Sequence, residues 1–165
     1  MPTLLVLRHG KSDRDADFGA DAERPLAERG RRATKLIGRH LAETGPRPTL
    51  ALTSPAVRAR DTLERTLAAA GFDCPTRVVE SFYGQGTEAA LDELRGLERS
   101  AEVVLVVGHE PTWSDLIATL TGEEVRLPTA ALARLDVGVD WQQLDPDSAS
   151  LTWLALPRDL DAAQG

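Results

Sequence analysis

Three short apolar runs constrain the fold of this chain more than any other feature. Thr3 to Leu7, Thr49 to Thr53 and Val103 to Val107 are each of strand length, and each gives way at once to a polar or proline-containing turn. Runs without polar alternation are the pattern of strands covered on both faces, as in a parallel sheet. Between them lie stretches with helical periodicity. In LAERGRRATKLIGRHLAETG, Ala33, Leu36, Ile37 and Leu41 recur at helical spacing and Gly45 offers a stop. Ser54-Pro55 reads as an N-cap and first helical position for a helix reaching Ala70, with Gly71 as its end. Pro75 to Val79 reads as a further short strand. Thr87 reads as the cap of a helix whose Ala90, Leu91, Leu94 and Leu97 share a face. After Val107 comes a helix with Trp113, Leu116, Ile117 and Leu120 on one side. Leu132 to Val137 and Ser150 to Leu156 then read as a closing hairpin or edge strands. Strand and helix alternate over most of the chain, which predicts an α/β fold: a three-layer α/β/α sandwich on a mostly parallel central sheet.

Length and composition narrow the function classes. With 165 residues and no Ser/Gly-rich or Pro-rich tract, the chain is expected to be a single domain, residues 1–165, with a core of its own. Its net charge of -7 argues against a surface built to neutralise nucleic-acid phosphates. Apolar runs of about five residues are far short of the roughly 20 needed to span a bilayer, and the N-terminus lacks a secretion-signal pattern. Cys74 is the only cysteine, so an internal disulfide is impossible. The expectation is a cytoplasmic protein without membrane or nucleic-acid partners. The oligomeric state stays open.

In open α/β sheets, ligands bind outside the carboxyl ends of the strands. Two nucleotide motifs are decoys there. Gly10-Lys11-Ser12 has the ending of a P-loop, but the required glycine five positions earlier is Leu5. Gly84-Gln85-Gly86 resembles the start of a dinucleotide fingerprint, yet it begins well after its strand, and no acid is placed to bind a ribose. What remains is Arg8-His9 after the first run, Arg58 just after Ser54-Pro55, and His109 after Val103 to Val107. Guanidiniums supply planar, permanently charged forks for a phosphate. A helix N-terminus after Ser54 would add backbone N–H donors. One neutral histidine can attack phosphorus, and a second, if protonated, can stabilise the charge that builds up.

Arg8-His9-Gly10, Ser54-Pro55-Ala56-Val57-Arg58-Ala59 with Thr62, Gly108-His109, and Arg24-Pro25-Leu26 with Arg29-Gly30 together resemble the histidine phosphatase, or phosphoglycerate mutase-like, superfamily. The matched blocks run through nearly the whole chain in the family's order. Its short length and its RHGKS and GHEPT forms are most similar to the small SixA-like phosphohistidine phosphatase branch. This resemblance implies a phosphoglycerate mutase-like fold and a metal-independent phosphatase without a cofactor. His9 would be the phosphorylated nucleophile, and Arg8, Arg58 and His109 would complete the phosphate pocket. Arg24 would bind substrate or brace the loop. Glu80, in ESFYG, lies where larger members carry a glutamate that protonates the leaving group. The substrate would be a phosphorylated molecule, such as a protein bearing phosphohistidine. A small phosphate ester, a mutase reaction, or a non-catalytic phosphate-binding module are the alternatives.

Bland readings stand beside these. Arg58 could pair with Asp61 at i+3, and His40 fits a partly buried structural histidine. The three tryptophans suit the core. Three histidines without chelating spacing give no expectation of a metal. Lys11 and Ser12 are candidates for the pocket entrance.

Overall fold

The computed structural model describes residues 1–164. In chain order the elements are β1 (Thr3–Arg8), α1 (Glu28–Thr44), β2 (Leu50–Thr53), α2 (Val57–Ala70), β3 (Thr76–Val78), α3 (Gly86–Arg95), β4 (Val103–Gly108), α4 (Thr112–Thr121), β5 (Leu132–Val137), β6 (Ala149–Ala155) and α5 (Pro157–Gln164). The strands form one sheet in the order β3-β2-β4-β1-β5-β6. β3, β2, β4 and β1 are parallel, while β5 and β6 close the far edge antiparallel.

The continuous apolar runs are explained by two-sided burial. Leu4 to Leu7 are all 0% exposed, and alternate side chains enter different cores. Leu4 and Val6 pack with residues of α3 and α4 such as Leu94, Leu116 and Ile117. Leu5 and Leu7 pack on the opposite face with Ile37 and Leu41 of α1 and Leu63 of α2. The predicted three layers follow directly. β6 alternates half-buried and exposed residues, as an edge strand covered on one face should.

Two helix starts differ from expectation. α2 begins at Val57, with Ala56 at the cap position and no side-chain cap, so Ser54-Pro55 is not its entry. α3 begins at Gly86, which places Thr87 inside the first turn rather than at the cap. In the first case Ser54 has been drawn to a different partner, described below.

Two features of the sheet position the site. In the register, Arg8 lies beside Gly108 and Thr53 beside Val107, so β1, β2 and β4 end level with one another. The neighbours β1 and β4 then lead into helices on opposite faces, which opens a crevice between their carboxyl ends. Two glycines let the chain close around it. A β-carbon on Gly30 would lie 2.2 Å from the Lys11 carbonyl oxygen, and one on Gly108 would lie 2.7 Å from the Trp113 indole. The loop after β1 is thereby pressed onto α1, and Trp113 fits under the end of β4, donating its indole N–H to the Leu7 carbonyl at 3.0 Å.

Candidate active site at the strand ends

His9 is fixed from several sides. Its backbone N–H donates to Gly108 O at 3.0 Å, and its carbonyl accepts from Ala130 N at 3.0 Å. The next residue, Gly10, donates its N–H to Thr62 Oγ1 at 2.9 Å, and that hydroxyl in turn donates to the Arg58 carbonyl. The imidazole Nδ1 lies 2.7 Å from the Gly10 carbonyl. A carbonyl only accepts, so Nδ1 carries the proton and Nε2 keeps its lone pair. Burial above all pulls the His9 pKa down to about 3, with His109, Arg58 and Arg8 adding to the effect against the opposing Gly10 bond. His9 is therefore neutral across the physiological range, with the Nε2 lone pair unprotonated.

The second histidine faces it, with ring centroids 5.1 Å apart. Burial first, and then Arg58, hold His109 at about 4, so it too is neutral as the pocket stands. Its Nε2 lies 2.8 Å from Ser54 Oγ, a hydroxyl that also accepts the Ala56 N–H at 3.2 Å. Ser54 is fully buried. If Nε2 held the ring proton, the hydroxyl hydrogen would have no acceptor among the described residues. Donation from Ser54 to Nε2 satisfies both groups and leaves the His109 proton on Nδ1. The Ala56 N–H, at the entry to α2, is occupied by this arrangement.

Three arginines converge. Arg8 donates through Nη1 to the Leu127 carbonyl at 2.9 Å. Arg58, 5% exposed, places Nη1 on the Asp21 carbonyl at 2.8 Å and Nη2 on the Asp21 carboxylate at 3.0 Å. Arg24 reaches the other carboxylate oxygen at 3.2 Å, and the Tyr83 hydroxyl donates to the first at 2.6 Å. Tyr83, followed by Arg58 and Arg24, holds the Asp21 carboxyl below its usual range. The i+3 alternative for Arg58 fails because Asp61 is bonded to Arg65.

The three arginines and two histidines line one cavity of about 470 Å³, with Lys11, Ser12 and Arg14 also in its lining and Glu110 the sole carboxylate there. Both Glu110 oxygens accept from Ser114, one from its N–H at 2.8 Å and one from its hydroxyl. Among the described residues, four buried side-chain polar atoms have no partner, and three of them are the Nε–H groups of Arg8, Arg24 and Arg58. Each such donor costs about 1–3 kcal/mol while unpaired. All three guanidiniums line the same cavity, where an oxyanion would meet donors that the protein itself leaves partly unused.

Residues 4–85 match the sequence model of the histidine phosphatase superfamily, branch 1. The Mycobacterium tuberculosis protein Rv1276c, itself uncharacterised, is 36% identical over 163 residues, covering 92% of this chain and 100% of the relative. The chain belongs to the histidine phosphatase superfamily. Solved members share its three-layer, phosphoglycerate mutase-like fold. A SixA protein from Nakamurella multipartitia superposes with a TM-score of 0.83 at 29% identity, over 94% of this chain and 96% of that one. The protein histidine phosphatase SixA complexed with tungstate gives 0.84 at 25% identity, over 96% and 99%.

In this histidine phosphatase, the sequence-predicted residues separate into two groups. Arg8, His9, Arg24, Arg58 and His109 are brought together, and the lining includes the exposed Lys11 and the buried Ser12. Glu80 is not. It is exposed at the start of the 3-10 turn Glu80–Phe82 and does not line the cavity. The cause is Phe82, buried in the core edge-on to Trp113 with centroids 5.0 Å apart. With Phe82 anchored inward, Tyr83 falls over the cavity and Glu80 faces solvent. Sequence reasoning missed Asp21, Tyr83 and the Ser54 contact to His109. Asp21 meets Arg58 across 37 residues, Tyr83 meets Asp21 across 62 and Ser54 meets His109 across 55, so local spacing signals none of these contacts, although the Asp21–Arg24 pair stands at i+3. No group of three or more metal-ligating side chains is found among the described residues.

Proposed function

We propose that this protein is a phosphatase working through a phosphohistidine on His9, with a phosphohistidine-bearing protein as its substrate. The observation that carries the reading is the His9 imidazole: neutral, with Nδ1–H held by Gly10 and Nε2 free beside three guanidiniums. Nε2 attacks phosphorus, the new N–P bond forms, and the bond to the leaving group breaks. Water then attacks the phosphoryl group on Nε2, releasing phosphate and restoring the imidazole. Arg8, Arg58 and Arg24 supply positive charge to the phosphoryl oxygens, and His109 donates to one of them through Nδ1–H.

Substrate choice follows from what the pocket offers as a proton donor. Glu80 is outside it, Asp21 is held ionised, and Glu110 is engaged by Ser114. An ester oxygen leaving as alkoxide needs a strong general acid, whereas the nitrogen of a phosphoramidate is protonated readily by water. This favours phosphohistidine over phosphate esters, in keeping with the SixA likeness and with the tungstate that SixA accepts, a tetrahedral oxyanion like phosphate. The lone, half-buried Cys74 suits a cytoplasmic setting.

The test is to incubate the protein with phosphohistidine substrate carrying labelled phosphorus and quench within a single turnover. Acid-labile label is expected on the wild type and none on His9→Ala, with turnover lost in the variant. Wild-type turnover by His9→Ala would overturn the proposal.

A further inference from the structure

A second cavity, of about 710 Å³, adjoins the first and shares Lys11 and Thr129 with it. Its wall is the face of α1 that carries Arg29, Arg32, Lys35 and Arg39, all exposed. Only Arg32 has a carboxylate partner within 4 Å among the described residues, Glu28 at 3.9 Å with both side chains in solvent. Arg158 on α5 adds a further cation, itself 3.8 Å from Asp159, and Asp161 is the one acid in the lining. The groove thus concentrates an excess of positive charge on a chain whose net charge is -7. Its floor is apolar, made of Ala33 and Leu36 of α1 with Leu156 and Pro157 at the turn into α5.

Like charges spaced three or four apart on one helix face repel, by a few tenths of a kcal/mol per pair. A fold that carries such a stripe without neutralising it has it available for an external anion. From Arg29 to Arg39 the stripe extends about 15 Å at the helical rise. Its occupant is therefore extended, carries several negative charges, and has apolar groups to set against Leu36, Leu156 and Pro157. The shared wall at Lys11 and Thr129 joins it to whatever delivers the phosphoryl group to His9. Inorganic polyanions match the charge but leave the apolar floor uncovered.

We infer that this groove docks an acidic, amphipathic segment of the protein that carries the phosphoryl group, making α1 the element that selects the partner. The inference rests on the proposed phosphohistidine chemistry for its context, and its test separates the two. Two synthetic phosphohistidine peptides serve as probes, one followed by about ten residues of alternating Glu and Leu character, the other with Gln for each Glu. The wild type is expected to hydrolyse the acidic peptide with a KM about tenfold lower at low salt, the difference collapsing near 0.5 M salt. In Lys35→Glu/Arg39→Glu the preference disappears, while kcat on free phosphohistidine and inhibition by inorganic phosphate stay as in the wild type. Equal KM values in the wild type, or a preference that survives the charge reversal, would overturn the groove assignment. If the wild type hydrolyses neither peptide, the phosphohistidine reading fails, and fluorescence anisotropy of the unphosphorylated acidic peptide decides the groove. Binding lost on charge reversal upholds it, and no binding to the wild type removes it. Tripolyphosphate binding at the same cations as tightly as the peptide would also remove the polypeptide occupant, in favour of a small polyanion.

Discussion

Replacing Ser54 by alanine is expected to impair catalysis beyond its cost in stability. The hydroxyl is fully buried, accepts the Ala56 N–H at 3.2 Å and lies 2.8 Å from His109 Nε2. Two net hydrogen bonds at about 0.5–1.5 kcal/mol each give a destabilisation of about 1–3 kcal/mol. For a chain of this size that is a fall in Tm of about 2–10 °C. The protein would still be folded at assay temperature. The functional effect comes through His109. With Ser54 gone, neither the tautomer nor the ring orientation is held, and the Nδ1–H donor is no longer guaranteed to face the phosphoryl oxygens. Removing a charge-stabilising donor outright costs about 10²–10³-fold in kcat, and loosening its orientation costs less, about 10–100-fold. The loss should fall on kcat rather than KM, because the donor acts as charge develops in the transition state. The assay is steady-state hydrolysis of phosphohistidine alongside thermal unfolding, with Ser54→Thr as the variant that keeps a hydroxyl. Recovery of kcat in Ser54→Thr is expected whatever its Tm. A Ser54→Ala protein with lowered Tm but wild-type kcat would refute the tautomer argument and reduce Ser54 to a structural residue.

Three further outcomes follow from the same geometry. NMR titration should find His9 and His109 neutral down to about pH 5, given values of about 3 and 4. Below about pH 6.5 the unfolded chain takes up protons that these buried rings refuse, so stability to urea should fall steadily from pH 6.5 toward 4 and be flat with respect to them above it. An imidazole at either position titrating near 6.5 would contradict this. Asp21→Asn should lower stability modestly, by about 1 kcal/mol since its carboxylate is half in solvent, yet tighten inhibition by inorganic phosphate because Arg58 and Arg24 lose their internal anion. Weaker phosphate inhibition would show that Asp21 acts only as a brace. Glu80→Gln should leave kcat on phosphohistidine within about threefold, since a true general acid is worth 10²–10⁴-fold. A loss of that larger size would restore Glu80 to the chemistry.

The sequence on its own determined the scaffold and the positions of the reactive groups, because both are local properties. Leu4 to Leu7 could only be a strand covered on both faces, since an unbroken apolar run has no side to show to water. Arg8, His9 and His109 were legible because they stand where such runs stop, and Arg58 because it follows Ser54-Pro55 at the end of another. Parallel strands ending in register then bring these residues together without further instruction. The charged stripe of α1 was equally present as a spacing of three and four.

Tertiary structure decided everything that depends on a partner far along the chain. Ser54 left the cap position because a buried hydroxyl gains more from satisfying both Ala56 and His109 than from ending a helix at the surface. Asp21, whose pairing with Arg24 is local, became the brace of Arg58 and Tyr83 as well through contacts that only the folded sheet creates. Glu80 turned outward because the core claimed Phe82, an apolar demand that outweighs the placement of an exposed carboxylate. The stripe on α1 became one wall of a groove only when Leu156 and Pro157, more than a hundred residues later, folded back to supply its floor.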